Sequence, residues 1–266
     1  MNVSIIMPVY NPDKEILENI ESSLKKQKFG GKVEVIKINK GLGLAESINY
    51  GIKKAKYEII VTLHQDCIPE NEHWLKILVE PLKNEDVIAS VSKVYLPNDF
   101  WKKFDFIAKI MSAKEQKVIT PLLDEKGCAY KKNILMKIGL FNEKDFRTAG
   151  EDFDMYIKLK AEGKIVYPEC KILHYHKHTK KNRFKKEIQL SEGFGVLVRK
   201  NKTDMPKWWL GIIKALPIIG WPLFLINFPY RKWILGGLFW IFFSLIVNFV
   251  YTYGFWKGFL EGKQKS

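Results

Sequence analysis

Three short stretches of the 266-residue chain bring together groups capable of chemistry. In the first, LHQDCIPE at residues 63–70, a β-like run (YEIIVTL) delivers His64, Gln65, Asp66 and Cys67 before the chain turns at Pro69. The second, GEDFDMYIKLK, places Glu151, Asp152 and Asp154 at the start of an apolar-periodic helical pattern. The third, HYHKH, repeats His174, His176 and His178 at period two, so the three share one side of an extended chain. A carboxylate, with or without imidazoles, can anchor a divalent ion that offsets negative charge on a departing phosphate. A carboxylate at a helix start can take the proton of an attacking hydroxyl. Each motif also has a plain reading. Asp66 can simply form a turn, the acidic residues near 151 can favour a helix start, and His178 can be a solvated loop residue.

The surrounding pattern positions these groups. VSIIMPVY, KVEVIKI, YEIIVTL and VIASVSKVY read as strands, separated by the helical patterns DKEILENIESSLKKQ, LGLAESINYGIKKA and NEHWLKILVEPL. KIVYPECKIL reads as a further strand leading into HYHKH. Strands alternating with helices predict βαβ units and a mostly parallel sheet, in which ligands bind outside the carboxyl ends of the strands. Asp66 lies at such an end. A dinucleotide fingerprint is excluded, because Gly41 and Gly43 follow the second strand and the third glycine is missing; no GxxxxGK[ST] occurs either. Met155 and the aromatics of WKKFDFIAKIM read as core or as walls of an acceptor groove.

The formal charge of +15 favours polyanionic partners. No helix-turn-helix, zinc-finger or RNP-like motif supports nucleic acid. Three widely separated cysteines suggest reduced thiols rather than a disulfide framework. The opening MNVSIIMPVYN lacks a basic n-region, so the soluble part is expected to stay on the cytoplasmic face. Trp233 to Trp256 contains no charged residue and is long enough to cross a membrane. The preceding WWLGIIKALPIIGWPLFLINFPY is broken by prolines, which predicts a re-entrant or interfacial element, or a second span. Between Lys171 and Lys207 stand eleven Lys or Arg against three Asp or Glu, a basic collar suited to an anionic membrane surface. The expected organisation is a catalytic domain over 1–205, with halves 1–97 and 98–205, and a hydrophobic membrane segment over 206–266.

MPVYN at the end of the first strand, GLGLAESINYGI, LHQDCIP, and GCAYKKNILMKIGLFNEKDFRTAGEDFDMYIKLK together resemble the family 2 glycosyltransferases of the GT-A fold. The resemblance spans about residues 2–190 and rests on the order and spacing of these motifs. It implies a Rossmann-like α/β domain that transfers a sugar from a nucleoside diphosphate sugar. The family's Asp-x-Asp aligns with His64, Gln65 and Asp66, so Asp66 is implied to hold Mg²⁺ or Mn²⁺ although His64 replaces the first carboxylate. His174, and with it His176, is implied to reach the same ion. Asp152 is implied to be the base of an inverting displacement, with Glu151 orienting loop amides or a sugar hydroxyl. Pro8, Val9, Tyr10 and Asn11 would lie against the nucleobase and ribose, joined by His64 and Gln65. Asn39 stands where the family commonly has an acidic residue, and amides near Gly41 and Gly43 would approach phosphate. HxH followed by RFKK resembles a rhamnosyltransferase-like group. With the hydrophobic tail, this points to a membrane acceptor, a polyprenyl phosphate or a lipid-linked glycan. A catalytically silent nucleotide-sugar-binding module and a basic membrane scaffold are the other classes left open.

Overall fold

The computed structural model describes residues 1–113, 123–176, 179–202, 204–205, 207–226, 228–231 and 233–264. In chain order the elements begin with β1 (Val3–Pro8), α1 (Lys14–Lys25), β2 (Val33–Ile38), α2 (Leu44–Lys54), β3 (Ile59–Leu63), β4 (Cys67–Pro69) and α3 (Trp74–Val79). Next come β5 (Val87–Val91), β6 (Lys93–Tyr95), α4 (Asn98–Trp101), α5 (Phe106–Met111), β7 (Gly127–Lys131), α6 (Lys132–Lys137) and α7 (Glu151–Lys160). The chain ends with β8 (Lys164–Val166), β9 (Lys171–His174), α8 (Lys180–Asn201), α9 (Trp208–Lys214), α10 (Pro222–Leu225) and α11 (Ile234–Glu261). Two compact units result: residues 1–97, 118–143 and 152–176 form one, and residues 98–117, 144–151 and 177–266 the other.

The first unit is built on a six-stranded sheet in the order β2-β1-β3-β7-β5-β8. Alternation along β1 sends Val3, Ile5, Met7 and Val9 to one face, where Ile20 of α1 and Trp74, Leu75 and Leu78 of α3 cover them. Ile6 points the other way, to Ile48 and Ile52 of α2 and to Met155 and Leu159 of α7. Burial on both faces accounts for the continuous apolar runs of the central strands. Met155 is thereby a core residue. Helix α1 starts where the Asp13 carboxylate accepts from the Glu15 and Ile16 amides at 3.1 and 3.3 Å, leaving its apolar stripe facing the sheet.

Two details differ from the sequence expectation. GCAYK, not among the strands expected from the sequence, is the central strand β7, which enters antiparallel between β3 and β5 and makes the sheet mixed. VIASVSKVY and KIVYPECKIL, each expected as one strand, both break in two. Their first halves, β5 and β8, join the large sheet, while β6 and β9 combine with β4 in a three-stranded sheet of order β4-β9-β6. Ser92 marks one break: its amide turns to Gly127 O at 2.9 Å and its hydroxyl accepts from the Trp74 indole at 2.9 Å. The crossing is tight. A Cβ on Gly127 would stand 2.4 Å from Ile172 Cδ1, so any larger residue there would have to push that side chain aside.

In the second unit α8 and α11 lie side by side. α5 packs on α8, with Asp105 Oδ2 accepting from the Lys180 amide at 2.8 Å and Arg183 Nη2 donating to Met111 O at 3.1 Å. Trp101 and Phe106, from the aromatic run read above as core or groove wall, meet Trp233 edge-on at 5.6 and 5.8 Å. The proline-broken stretch forms the short helices α9 and α10, and among the described residues α11 alone is long and apolar enough to cross a membrane.

Candidate functional site

The pairing of β4 with β9 builds the cluster. Their antiparallel register sets Cys67 opposite His174, and the Tyr175 amide donates to Asp66 O at 2.8 Å. The pleat turns His174 and His176 to the same side. His176 Nδ1 lies 2.9 Å and His174 Nε2 3.3 Å from Asp66 Oδ2. The two rings stack at 5.7 Å between centroids, and the donor atoms of all three residues fall within 4.8 Å of one another. Burial works to raise the Asp66 carboxyl, but the His174 and His176 imidazoles facing it, with His64 nearby, hold it well below the usual carboxylate range. One carboxylate oxygen and two imidazole nitrogens converging from two paired strands suit a divalent cation and leave coordination positions for a phosphate-bearing ligand. His178 lies outside the described residues.

His64 adds a second feature. Its Nε2 is buried without a hydrogen-bond partner among the described residues. Burial, helped by the charge of Lys126, pushes its pKa down to about 4, so the ring is neutral near pH 7. Burial and the neighbouring Asp66 raise the Cys67 thiol well above its ordinary value, which makes it inert.

Lys126 and Asp124 escaped the sequence reading. The β3–β7 ladder sets Leu63 opposite Gly127, so the next position brings Lys126 beside His64 at the carboxyl end of β3. Lys126 Nζ lies 3.2 Å from Asp124 Oδ2, with both side chains mostly buried. Burial opposes the Lys126 charge, but Asp124 overrides it and Asp152 adds to the effect, so the ammonium is permanent. Nothing in the local motif DEKG signals this, since the placement depends on an antiparallel neighbour more than sixty positions away.

On the other side of β3, Gln65 clasps the loop after β1. Its Oε1 accepts from the Tyr10 amide at 2.6 Å and its Nε2 donates to Tyr10 O at 2.8 Å. The Tyr10 ring is exposed, Val9 belongs to the core, Pro8 ends β1 and Asn11 follows with φ 44°. Asn39 is exposed just past β2; Gly41 has φ 64°, and Gly43 caps α2 with no side-chain bond. An open groove of about 410 Å³ along edge strand β2 includes Asn39, Lys40 and Tyr50 but none of Asp66, His174 or His176.

The acidic motif opens α7. Asp154 Oδ2 pairs with Lys158 at 2.8 Å, one turn along the helix, which gives it a helix-supporting role. Asp152 Oδ1 accepts from the Phe153 amide at 2.8 Å. Its interaction with Lys126 ties it electrostatically to the His64 end of the sheet. Glu151 is buried and belongs to the second unit. There the loop preceding it is held by Gln264 Oε1, which accepts from the Arg147 and Thr148 amides at 2.9 and 3.0 Å.

Residues 23–139 match the family model for Glycosyl transferase family 2. A search of curated proteins finds no match. Among solved structures, the mannosyltransferase PcManGT from Pyrobaculum calidifontis, in complex with GDP-Man and Mn²⁺, aligns with TM-score 0.54 and 16% identity, over 94% of this chain and 86% of that one. GalNAc-T7 with UDP, GalNAc and Mn²⁺ aligns with TM-score 0.55 and 14% identity over 81% of this chain, which spans about half, 51%, of that protein. The fold is GT-A, an α/β domain with a mixed sheet flanked by helices.

Proposed function

We propose that this glycosyltransferase moves a hexosyl group from a nucleoside diphosphate sugar to a membrane-borne acceptor, a polyprenyl phosphate or a glycan carried on one, with inversion at the anomeric carbon. The observation that carries the reading is Asp66 flanked by His174 and His176 just past the carboxyl end of β3. These three would hold a divalent ion, and two imidazoles favour Mn²⁺ over Mg²⁺, which prefers an all-oxygen shell. When bound, such an ion neutralises charge on the departing diphosphate.

The chain's own residues do the rest. Lys126 supplies a fixed positive charge beside the leaving group, pre-organised by Asp124. Neutral His64 offers its unengaged Nε2 to a hydroxyl of the donor. Gln65 fixes the backbone of Tyr10, whose exposed ring stacks on the nucleobase, with Pro8, Val9, Asn11, Asn39, Gly41 and Gly43 on the same nucleotide side. Asp152 takes the proton of the acceptor hydroxyl as its oxygen bonds to the anomeric carbon. The electron pair of the broken carbon–oxygen bond leaves with the nucleoside diphosphate. Glu151 orients the loop or a sugar hydroxyl. A phosphate acceptor arrives already ionised and leaves Asp152 no proton to remove.

The membrane acceptor is supported by α11 and the basic stretch before it, and a cytoplasmic face by three buried, unpaired cysteines. The test is transfer from labelled UDP- and GDP-hexoses to polyprenyl phosphate and to lipid-linked glycan, with Mn²⁺ or EDTA. Transfer that disappears in EDTA and in Asp66→Ala is expected. Donor binding without turnover would leave a silent nucleotide-sugar-binding module, and no binding at all a basic scaffold.

A further inference from the structure

Helix α11 is apolar on its exposed face as well as on its buried one. The face it turns inward mixes small and polar residues, Gly237, Ser244, Asn248, Gly254 and Gly258, with large apolar ones, Trp240, Phe243, Val247, Tyr251 and Phe255. The face it leaves exposed carries large apolar ones, recurring every three or four positions at Leu235, Leu238, Phe242, Ile246, Phe249 and Tyr253, with Phe242 80% exposed. A continuous apolar stripe of this length marks contact with another apolar phase.

What covers the inward face restricts how α11 can meet that phase. Helix α8 runs parallel to it, with Phe184 on Phe243 at 5.8 Å, the Lys257–Glu192 ion pair at 3.1 Å, and Arg199 donating to Phe259 O at 2.9 Å. A Cβ on Gly258 would sit 1.9 Å from Glu192 O, so the two backbones nearly touch. α8 carries seven Lys or Arg and two Glu among its 22 residues. Wherever α11 goes from Phe243 onward, α8 goes too. Phe243 already meets Phe184 of α8, and the nine residues before it, Ile234–Phe242, as helix cover about 13.5 Å, against the roughly 30 Å of a hydrocarbon core. The uncharged stretches of α8 are no better. From Glu187 to Arg199 is about 18 Å, and Glu192 stands in its middle. Drawing any of these charges to the bilayer centre is strongly unfavourable.

The other flank is strapped down as well. Trp221, Trp240 and Trp256 donate their indole hydrogens to Ser244 Oγ, Phe224 O and Ala215 O at 2.8, 3.1 and 2.9 Å. Asn248 accepts from the Ile218 amide and donates to Lys214 O at 3.0 and 2.9 Å. α9, α10 and α11 thus form one layer, with Ile218, Ile219 and Ile226 exposed like the stripe. We propose that α11 lies in the plane of one leaflet of an anionic bilayer, embedding its exposed apolar stripe, and does not cross it. Exposed Lys180, Lys181, Lys185 and Lys186 at the start of α8, with Lys207 and Arg231, provide the charge complement to anionic headgroups.

This inference rests on the reading that the chain works at a membrane, and it specifies the mode of attachment. The experiment uses the full chain with single substitutions Leu235→Cys, Phe242→Cys, Phe249→Cys and Leu260→Cys, each labelled with a fluorophore; the three native thiols are buried. The labelled chains are bound to phosphatidylcholine vesicles with and without phosphatidylglycerol, and depth is read by quenching from brominated lipids. Equal, shallow depths at all four sites, about 5–10 Å below the headgroups, are expected. Binding should rise at least tenfold with phosphatidylglycerol and be lost in the double variant F242E/I246K. That variant must still show a thermal shift with UDP or GDP plus Mn²⁺, which reports a folded transferase. A profile that is deep in the middle and shallow at both ends would overturn the inference in favour of a span. Failure to bind either vesicle, with the nucleotide shift intact, would overturn it in favour of pairing with a second copy. Loss of nucleotide binding in the unsubstituted chain would count against the transferase reading alone.

Discussion

In the six-stranded sheet every residue of β3 and β5 is buried, and helices cover both faces; in the three-stranded sheet the strands are three or four residues long and alternate between buried and partly exposed positions. Yet the short sheet contributes His174 and borders Asp66 and His176, while the long one contributes no candidate ligand. The contrast follows from solvation. A fully buried strand cannot hold a carboxylate without a large desolvation penalty, whereas a small sheet at the rim of the core lets charged groups keep part of their hydration and face a ligand. Stability and chemistry are therefore separable by mutation, with Lys126 at the seam between them.

The largest expected effect tests the short sheet. Asp66→Ala should slow transfer by about 10³-fold and abolish the Mn²⁺-induced rise in Tm, while the metal-free Tm stays within a few degrees. If the variant instead unfolds, the division between the sheets fails. Asp152→Asn should slow transfer to a hydroxyl acceptor by roughly 10²- to 10⁴-fold in single-turnover assays, with little change for a phosphate acceptor. Equal rates with a hydroxyl acceptor would remove Asp152 as the base.

Ile5→Ala probes the long sheet and should cost about 3 kcal/mol in denaturant unfolding while leaving kcat per folded molecule intact. Acid sharpens the boundary. His64 titrates near 4 in the fold against an ordinary value of 6.5, so above pH 6.5 it is neutral in both states and contributes nothing. As pH falls from 6.5 toward 4 the unfolded chain binds a proton that the folded chain refuses, removing up to about 3 kcal/mol of stability. His64→Gln should flatten that slope when unfolding midpoints at pH 7 and 4.5 are compared. The smallest effect is expected for Lys126→Met, about a tenfold rise in donor KM with a lesser change in kcat. An unchanged KM would show that the buried ammonium serves only Asp124.

Much of the long sheet was legible, because burial on both faces writes β1, β3 and β5 as apolar runs, edge strand β2 as an alternating one, and the helices between them as 3.6-residue periods. The strand β7 was not, since the small residues of GCAYK resemble a turn until Gly127 is seen passing Ile172. The splitting of VIASVSKVY and KIVYPECKIL was equally hidden. A strand that changes sheets keeps the composition of one that does not, and Ser92 reveals the break only through Trp74 and Gly127. His176 shows the same limit: period two placed it on the side of His174, but its 2.9 Å contact with Asp66 depends on β4 and β9 pairing.

Local pattern alone thus accounts for the α/β alternation, a carboxylate where a buried strand opens, an acidic pair at a helix start and an apolar C-terminal helix. These follow from side-chain periodicity and capping, which act over a few residues. Folding in three dimensions was needed to join Asp66 to a histidine 110 positions away, to set Lys126 beside His64, and to decide which face of α11 turns inward. Strand register and helix packing are settled by the fit of distant surfaces, and no short stretch of sequence contains both partners of such a fit.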